Sequence, residues 1–368
     1  MHNRQRWQRI GHRVQAELRD LGAIAPSDRR WPMPLCAALA SGLPLFIGAW
    51  FGRMDYGLTA SLGGLVFLYA PDSALAHRML QLMACSFGLS ACYAFGLAAH
   101  FLPVLLVPLL GGLTVLVTMI CRFYRIGPPG SLFFVMAAAI GAYAPIDLLQ
   151  VPLFVGLITL GSLLGCLIAF AHAIHSLRRQ AAPANPTPVP ADFACILVDS
   201  VLIGLFVALA LAAAQLLALE RPYWVPVSCL AVIQGMSLRA VWRKQVHRIL
   251  GTAVGLLLTW TLLMLPLDPW RISLLLMLLA FTIEILVVRH YGLAVIFITP
   301  LTIFLAEAAQ LGQIDSGPLL QARFLDTTLG AVIGLLGGIC LHSPRLRAAL
   351  DKALHQLRRQ PAAAPDRG

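Results

Sequence analysis

Residues 221–258 read R-P-Y-W-V-P-V-S-C-L-A-V-I-Q-G-M-S-L-R-A-V-W-R-K-Q-V-H-R-I-L-G-T-A-V-G-L-L-L. The stretch opens on the aromatic pair Tyr223 and Trp224, of the kind that sits at a membrane interface. A short apolar segment interrupted by Pro226 follows and ends in polar Gln234. Arg239, Arg243, Lys244, His247 and Arg248 come next, and a second apolar run then opens on Gly251-x-x-x-Gly255. A short, proline-interrupted span feeding a basic hairpin is a membrane pattern, and an unusual design for a helix that only fills space.

The rest of the chain agrees. Hydrophobic residues make up 59% of the 368 and charged residues 12%, against about 45–50% and about 25% in an ordinary soluble domain. No soluble core absorbs that excess, so the bilayer is the solvent and lipid the first partner. The expected fold class is an all-α polytopic membrane protein.

The net charge of +11 does not call for nucleic acid. Of the 27 Lys and Arg, all but Arg53, Arg221, Arg271 and Arg323 fall on one side of the expected spans. That is the positive-inside bias, and it puts both termini in the cytoplasm. The eight cysteines lie in or at the edge of apolar segments, with no C-x-x-C and no zinc-type Cys/His spacing. No metal or other cofactor is expected. Nor is an enzyme: paired catalytic carboxylates, H-x-x-x-H, G-x-S-x-G and a P-loop are all missing from the sequence.

Twelve spans are expected in two sets of six. The first set is 34–52, 56–70, 82–100, 103–121, 130–144 and 150–174. The second is 194–218, 222–236, 246–265, 271–288, 291–309 and 324–341, several of them short against the roughly 20 residues a bilayer requires. Residues 1–31 carry no signal-peptide core. They do place Trp7, Ile10, Val14, Leu18 and Leu21 on one helical face among arginines. Residues 343–368 repeat the device with Leu346, Leu350, Leu354 and Leu357. Both read as basic amphipathic helices on the cytoplasmic membrane surface.

Residues 178–193 form a Pro-rich cytoplasmic linker, which divides the membrane part into 32–177 and 194–342. A shift of 167 positions pairs Tyr56 with Tyr223, Ser61 with Ser228, Gly88 with Gly255, Arg122 with Arg289 and Tyr124 with Tyr291. With two further positions, Gly161-x-x-x-Gly165 meets Gly330-x-x-x-Gly334. Six spans per copy, an even number, make these parallel repeats about an axis along the membrane normal.

Tyr223–Trp224–Val225–Pro226, then Gln234, then Arg248–Ile249–Leu250–Gly251–Thr252 resemble the fusaric-acid-resistance-like family, which includes bacterial aromatic acid exporters. The first half departs from the pattern: Gly57 stands where the Trp would be, and Gln81 and Ala84 stand where Arg248 and Gly251 do. The resemblance implies a bacterial inner-membrane, multi-pass secondary transporter that exports aromatic or other organic carboxylates. It allows a periplasmic adaptor and a homo-oligomer as protein partners. A passive organic-anion channel and a non-transporting membrane scaffold or regulator are the competing readings.

Candidate residues follow from the chemistry of moving an organic anion. On one helix, Arg239, Arg243 and His247 share a face, with Lys244 and Arg248 beside it. Such cations concentrate anions and pair with a carboxylate, although positive-inside loops carry cations in any case. Arg248 stands apart because it enters the apolar run. Tyr223 and Trp224 offer stacking surfaces, and Ser228 and Gln234 offer hydrogen bonds, for substrate binding. Pro226 and Pro300 are expected helix breaks, where freed carbonyls build sites near the midplane. Glu284, inside L-L-M-L-L-A-F-T-I-E-I-L, is the expected proton-coupling carboxylate, since intramembrane acids are functional by default.

Overall fold

The computed structural model describes residues 22–27, 29, 31–177, 193–307 and 316–343. Most of the two terminal segments, 1–31 and 343–368, and most of the Pro-rich linker lie outside the described residues.

Twelve helices make up the described membrane part. They are α1 (Pro32–Trp50), α2 (Met54–Gly64, prolonged by a 3-10 turn to Tyr69), α3 (Leu75–His100), α4 (Leu106–Phe123), α5 (Leu132–Ala142) and α6 (Val151–Leu177). The second half supplies α7 (Phe193–Leu216), α8 (Trp224–Ile233), α9 (Leu238–Leu263), α10 (Pro269–Leu286), α11 (Tyr291–Glu307) and α12 (Ser316–Leu341). Eight are long and apolar enough to cross a bilayer: α1, α3, α4, α6, α7, α9, α10 and α12. The protein is an all-helical, multi-pass membrane protein. Its outward surface is apolar, with Phe87 77% and Leu257 67% exposed, as a lipid-facing surface requires.

Local chemistry sets several of the ends. Ser237 caps α9 by accepting from the Ala240 amide at 3.2 Å. Asp268 caps α10 by accepting from the Arg271 amide at 2.8 Å, with Pro269 in the first turn. Two boundaries correct the sequence reading. Residues 238–245, expected as a loop, are the first two turns of α9, because a good cap and a run of helix-tolerant Arg, Lys and Gln continue the helix outward. Likewise α12 begins at Ser316 and not at 324, which brings Arg323 inside the helix.

The packing recurs between the halves. In the first half α2 packs on α6, α3 on α5 and on α6, and α1 on α2 and on α6. Six helices later, α8 packs on α12, α9 on α11 and on α12, and α7 on α8 and on α12. The halves join reciprocally, through α4 against α7 and α10 against α1. The short helices α2 and α8 occupy corresponding places, as do α5 and α11. At about 1.5 Å per residue, α8 is roughly 15 Å long, half a bilayer core.

Glycines make the closest contacts possible. A Cβ on Gly161 or Gly165 would strike backbone of α2 at Ala60 or press on Gly64, and on Gly330 or Gly334 it would strike the Val225 or Cys229 carbonyl of α8. Gly251 and Gly255 face the Gly292 and Ile296 carbonyls of α11 in the same way. These small-xxx-small pairs are packing devices.

An ion pair closes each joint between the halves. Arg122 on α4 donates to Asp199 on α7. Glu284 on α10 accepts from Arg29, just before α1, at 2.9 Å. The Asp199 side chain is 14% exposed, so Asp199→Asn leaves Arg122 poorly compensated. We expect a loss of about 1–3 kcal/mol, between the exposed and fully buried cases, read as a lowered unfolding midpoint in detergent. An unchanged midpoint removes this pair from the joint.

Candidate functional site

All ten residues of α8 are buried, and two arginines lie along it. Their placement follows from the glycine seams. Gly330 and Gly334 seat α12 on α8, and Arg323 lies two turns before Gly330 on the same helical face. Its guanidinium carbon therefore stands 3.6 Å from the centre of the Trp224 ring, a cation–π contact. Arg323 is 5% exposed. Its Nη2 donates to Thr302 Oγ1 at 3.0 Å, while Nε and Nη1 have no hydrogen-bond partner among the described residues. Three residues on, Asp326 is 0% exposed, and neither carboxylate oxygen has a hydrogen-bond partner among the described residues.

Arg248 reaches the same helix from α9. It lies one turn before Gly251, which holds α9 against α11. Its Nη2 donates to Ser228 Oγ at 3.3 Å and its Nη1 to Tyr291 Oη at 3.5 Å, and Nε is unpartnered. Ser228 is one turn beyond Trp224, about 6 Å along the axis. Two buried guanidinium groups thus border one short helix with three N–H-bearing nitrogens unused. Unpaired buried cations are costly, and the group that would satisfy them is an anion with two acceptor oxygens.

The other candidates are distributed differently. Arg239 and Arg243 are exposed on the first turns of α9, and Lys244 and His247 are half-buried. His247 lies against His290, with ring centres 4.6 Å apart. Tyr223 packs on Trp224 at 5.1 Å and on Tyr143 of the first half at 5.9 Å. Gln234 leaves the Arg248 neighbourhood altogether. Its amide donates to Ser131 Oγ at 2.6 Å, and the same hydroxyl accepts from Thr118. Beside it Tyr69 donates to the Gly130 carbonyl at 2.8 Å, so the ends of α2, α5 and α8 meet in a polar bridge between the halves.

Pro226 is not a helix break. It sits in the first turn of α8, where its missing N–H had no intrahelical acceptor to lose. Pro300 does lie inside α11. Thr302 Oγ1 donates to the Thr299 carbonyl at 3.0 Å there, and the same hydroxyl receives Arg323. Glu284, 8% exposed, is held by Arg29 and not by an arginine of the basic hairpin.

The expected span 324–341 leaves Arg323 outside the membrane helix, and the structure corrects this: Arg323 lies within α12 and is buried. A hydropathy window begins the span late because Gln321 and Arg323 are polar. The available signal was the seven-residue spacing from Arg323 to Gly330, which puts the arginine on the packed face of α12.

A second cavity, of about 530 Å³, opens elsewhere. Arg29, Asp72, Arg78 and His172 line it together with Met33 and Phe67. Arg78 donates to Asp72 at 3.3 Å and keeps a buried, unpartnered Nε. The volume falls in the range of small-molecule sites, about 300–1,000 Å³.

Comparison with known proteins bears on this half of the chain most directly. The family model described as fusaric acid resistance protein-like matches residues 202–337, so the resemblance read from the 221–258 stretch holds over α7 to α12. The chain is 30% identical over 157 residues to the uncharacterized membrane protein YvaC of Bacillus subtilis (strain 168). That alignment takes in 43% of this chain and 25% of YvaC, so the chain spans only about a quarter of that relative's length. No solved structure matches.

Proposed function

We propose that this protein is a secondary transporter of the bacterial inner membrane that exports aromatic or other organic carboxylates. One observation carries the reading: Arg248 and Arg323 are buried along α8 with N–H groups that no acceptor among the described residues satisfies. A carboxylate would take two such donors at once, and Trp224 beside Arg323 offers an aromatic face to a ring. The exposed Arg239 and Arg243 on α9, and Arg29, Arg78 and His172 around the larger cavity, supply a cationic approach. With both termini cytoplasmic, the start of α9 faces the cell interior, where an exporter loads. Glu284 is a weaker carrier of a coupled proton than the sequence suggested, because Arg29 already holds it.

The test is flux through the purified full chain in liposomes with an imposed pH gradient. Radiolabelled benzoate and succinate serve as the aromatic and aliphatic probes. We expect benzoate flux well above protein-free vesicles and responsive to the gradient. Benzoate flux indifferent to the gradient favours the channel. Flux of neither acid overturns the carboxylate reading and leaves the scaffold.

A further inference from the structure

Asp326 is the most enclosed carboxylate among the described residues, and the features around it are those of a proton site. Both its oxygens are buried without a donor, one turn from an arginine that also has two unsatisfied nitrogens. Acid and base on one helix face have not paired, because the guanidinium of Arg323 is drawn across to Trp224 and Thr302. A cavity of about 10 Å³ lies between them, bordered by Arg221, Trp224, Ile303 and Leu319. That is room for roughly one water, enough to deliver a proton and too little for an aromatic acid. The structure is thus closed on the site, as one state of an alternating-access carrier is.

The electrostatic argument has a definite sign. A ligand carboxylate that takes the free N–H groups of Arg323 comes within a turn of Asp326. If Asp326 is ionised, it repels the ligand and competes for the same guanidinium. Protonation removes both effects. The other charges nearby do not reverse this. Arg221 and Arg248 attract an anion whichever form Asp326 takes. Glu220 is solvent-exposed, and Tyr223 is tucked against Trp224. On α7, which also packs on α12, Asp199 is held by Arg122.

We propose that Asp326 takes up one proton whenever an organic carboxylate binds at Arg323. The site therefore loads the anion and a proton together, and export through it runs down the anion's own outward gradient, carrying the proton out with it. The balance is simple: the proton comes from water, the Asp326 carboxylate becomes a carboxylic acid, and the ligand stays anionic on Arg323. No bond of the ligand changes. This deepens the carboxylate-transport reading and rests on it.

The experiment uses the full chain in detergent, with benzoate and with benzenesulfonate, which stays ionised across the working pH range. Affinity is followed by calorimetry over pH, and proton uptake by an indicator dye in weakly buffered solution. For wild type we expect benzenesulfonate affinity to rise as pH falls. The slope should approach about tenfold per pH unit where Asp326 titrates, with about one proton taken up per ligand. Asp326→Asn should bind with affinity independent of pH and without proton uptake. Glu220→Gln should behave as wild type. Asp326→Glu keeps a carboxyl group and should retain uptake over a displaced pH range, which guards against an Asn variant that fails to fold. Wild-type binding without proton uptake overturns the inference and leaves the transport reading standing. So does uptake that survives in Asp326→Asn. Failure of wild type to bind either anion overturns both.

Discussion

Replacing Arg248 with alanine is expected to cut benzoate flux through reconstituted protein by about 30- to 5,000-fold. That range corresponds to the ~2–5 kcal/mol lost when one member of a buried charged pair is truncated. The side chain is 6% exposed, it bonds Ser228 and Tyr291, and it still has an unpartnered Nε. Alanine leaves a void lined by two hydroxyls where an anion would meet two N–H donors. Arg248→Lys keeps the charge and loses the planar fork, so its flux should fall between the two. Initial rates in liposomes provide the measurement, with size-exclusion profiles confirming that each variant is folded. Flux within threefold of wild type in Arg248→Ala would sink the assignment of the anion site to α8.

Gly330→Leu is expected to have the largest effect on the folded protein itself. A Cβ there meets the Val225 carbonyl oxygen and lies 2.7 Å from the Ser228 Cβ. The obstacle is the backbone of α8, which cannot rotate away as a side chain can. We expect a loss of about 3 kcal/mol, the upper part of the range for overpacking a filled core, and a steep fall in monodisperse yield. Any protein that survives should have Arg323 pushed off Trp224, and so should transport poorly as well. Gly112→Leu is the control, since a Cβ at Gly112 meets nothing within 4 Å. Equal behaviour of the two variants in thermal unfolding would show that the α8–α12 seam is not close-packed.

Much of this architecture is legible in the sequence. Apolar runs bounded by Arg, Pro and Asp marked all twelve helices, because lipid selects against charge all along a span. The 167-residue shift anticipated the recurrence of α2 on α6 in α8 on α12, since the Gly161 and Gly330 pairs need the same clearance. The site was legible in part. Arg248, Ser228 and Trp224 were named from one stretch and do border one short helix. Gln234, from that same stretch, instead bridges to Ser131, 103 positions away in the chain.

By itself the sequence determined the solvent, the number of helices and the pairing of the halves. These depend on composition and periodicity, which are properties of neighbours in the chain. Only the tertiary structure decided which charges are enclosed and what they meet. It put Arg323 inside α12, enclosed Asp326, gave Glu284 to Arg29, and turned Pro226 from a break into a first-turn residue. Burial and pairing depend on which helix face lands against which partner, and distant parts of the chain set that through close packing. A hydropathy window reads Arg323 as the edge of a span, whereas the seam at Gly330 carries it to the face of Trp224.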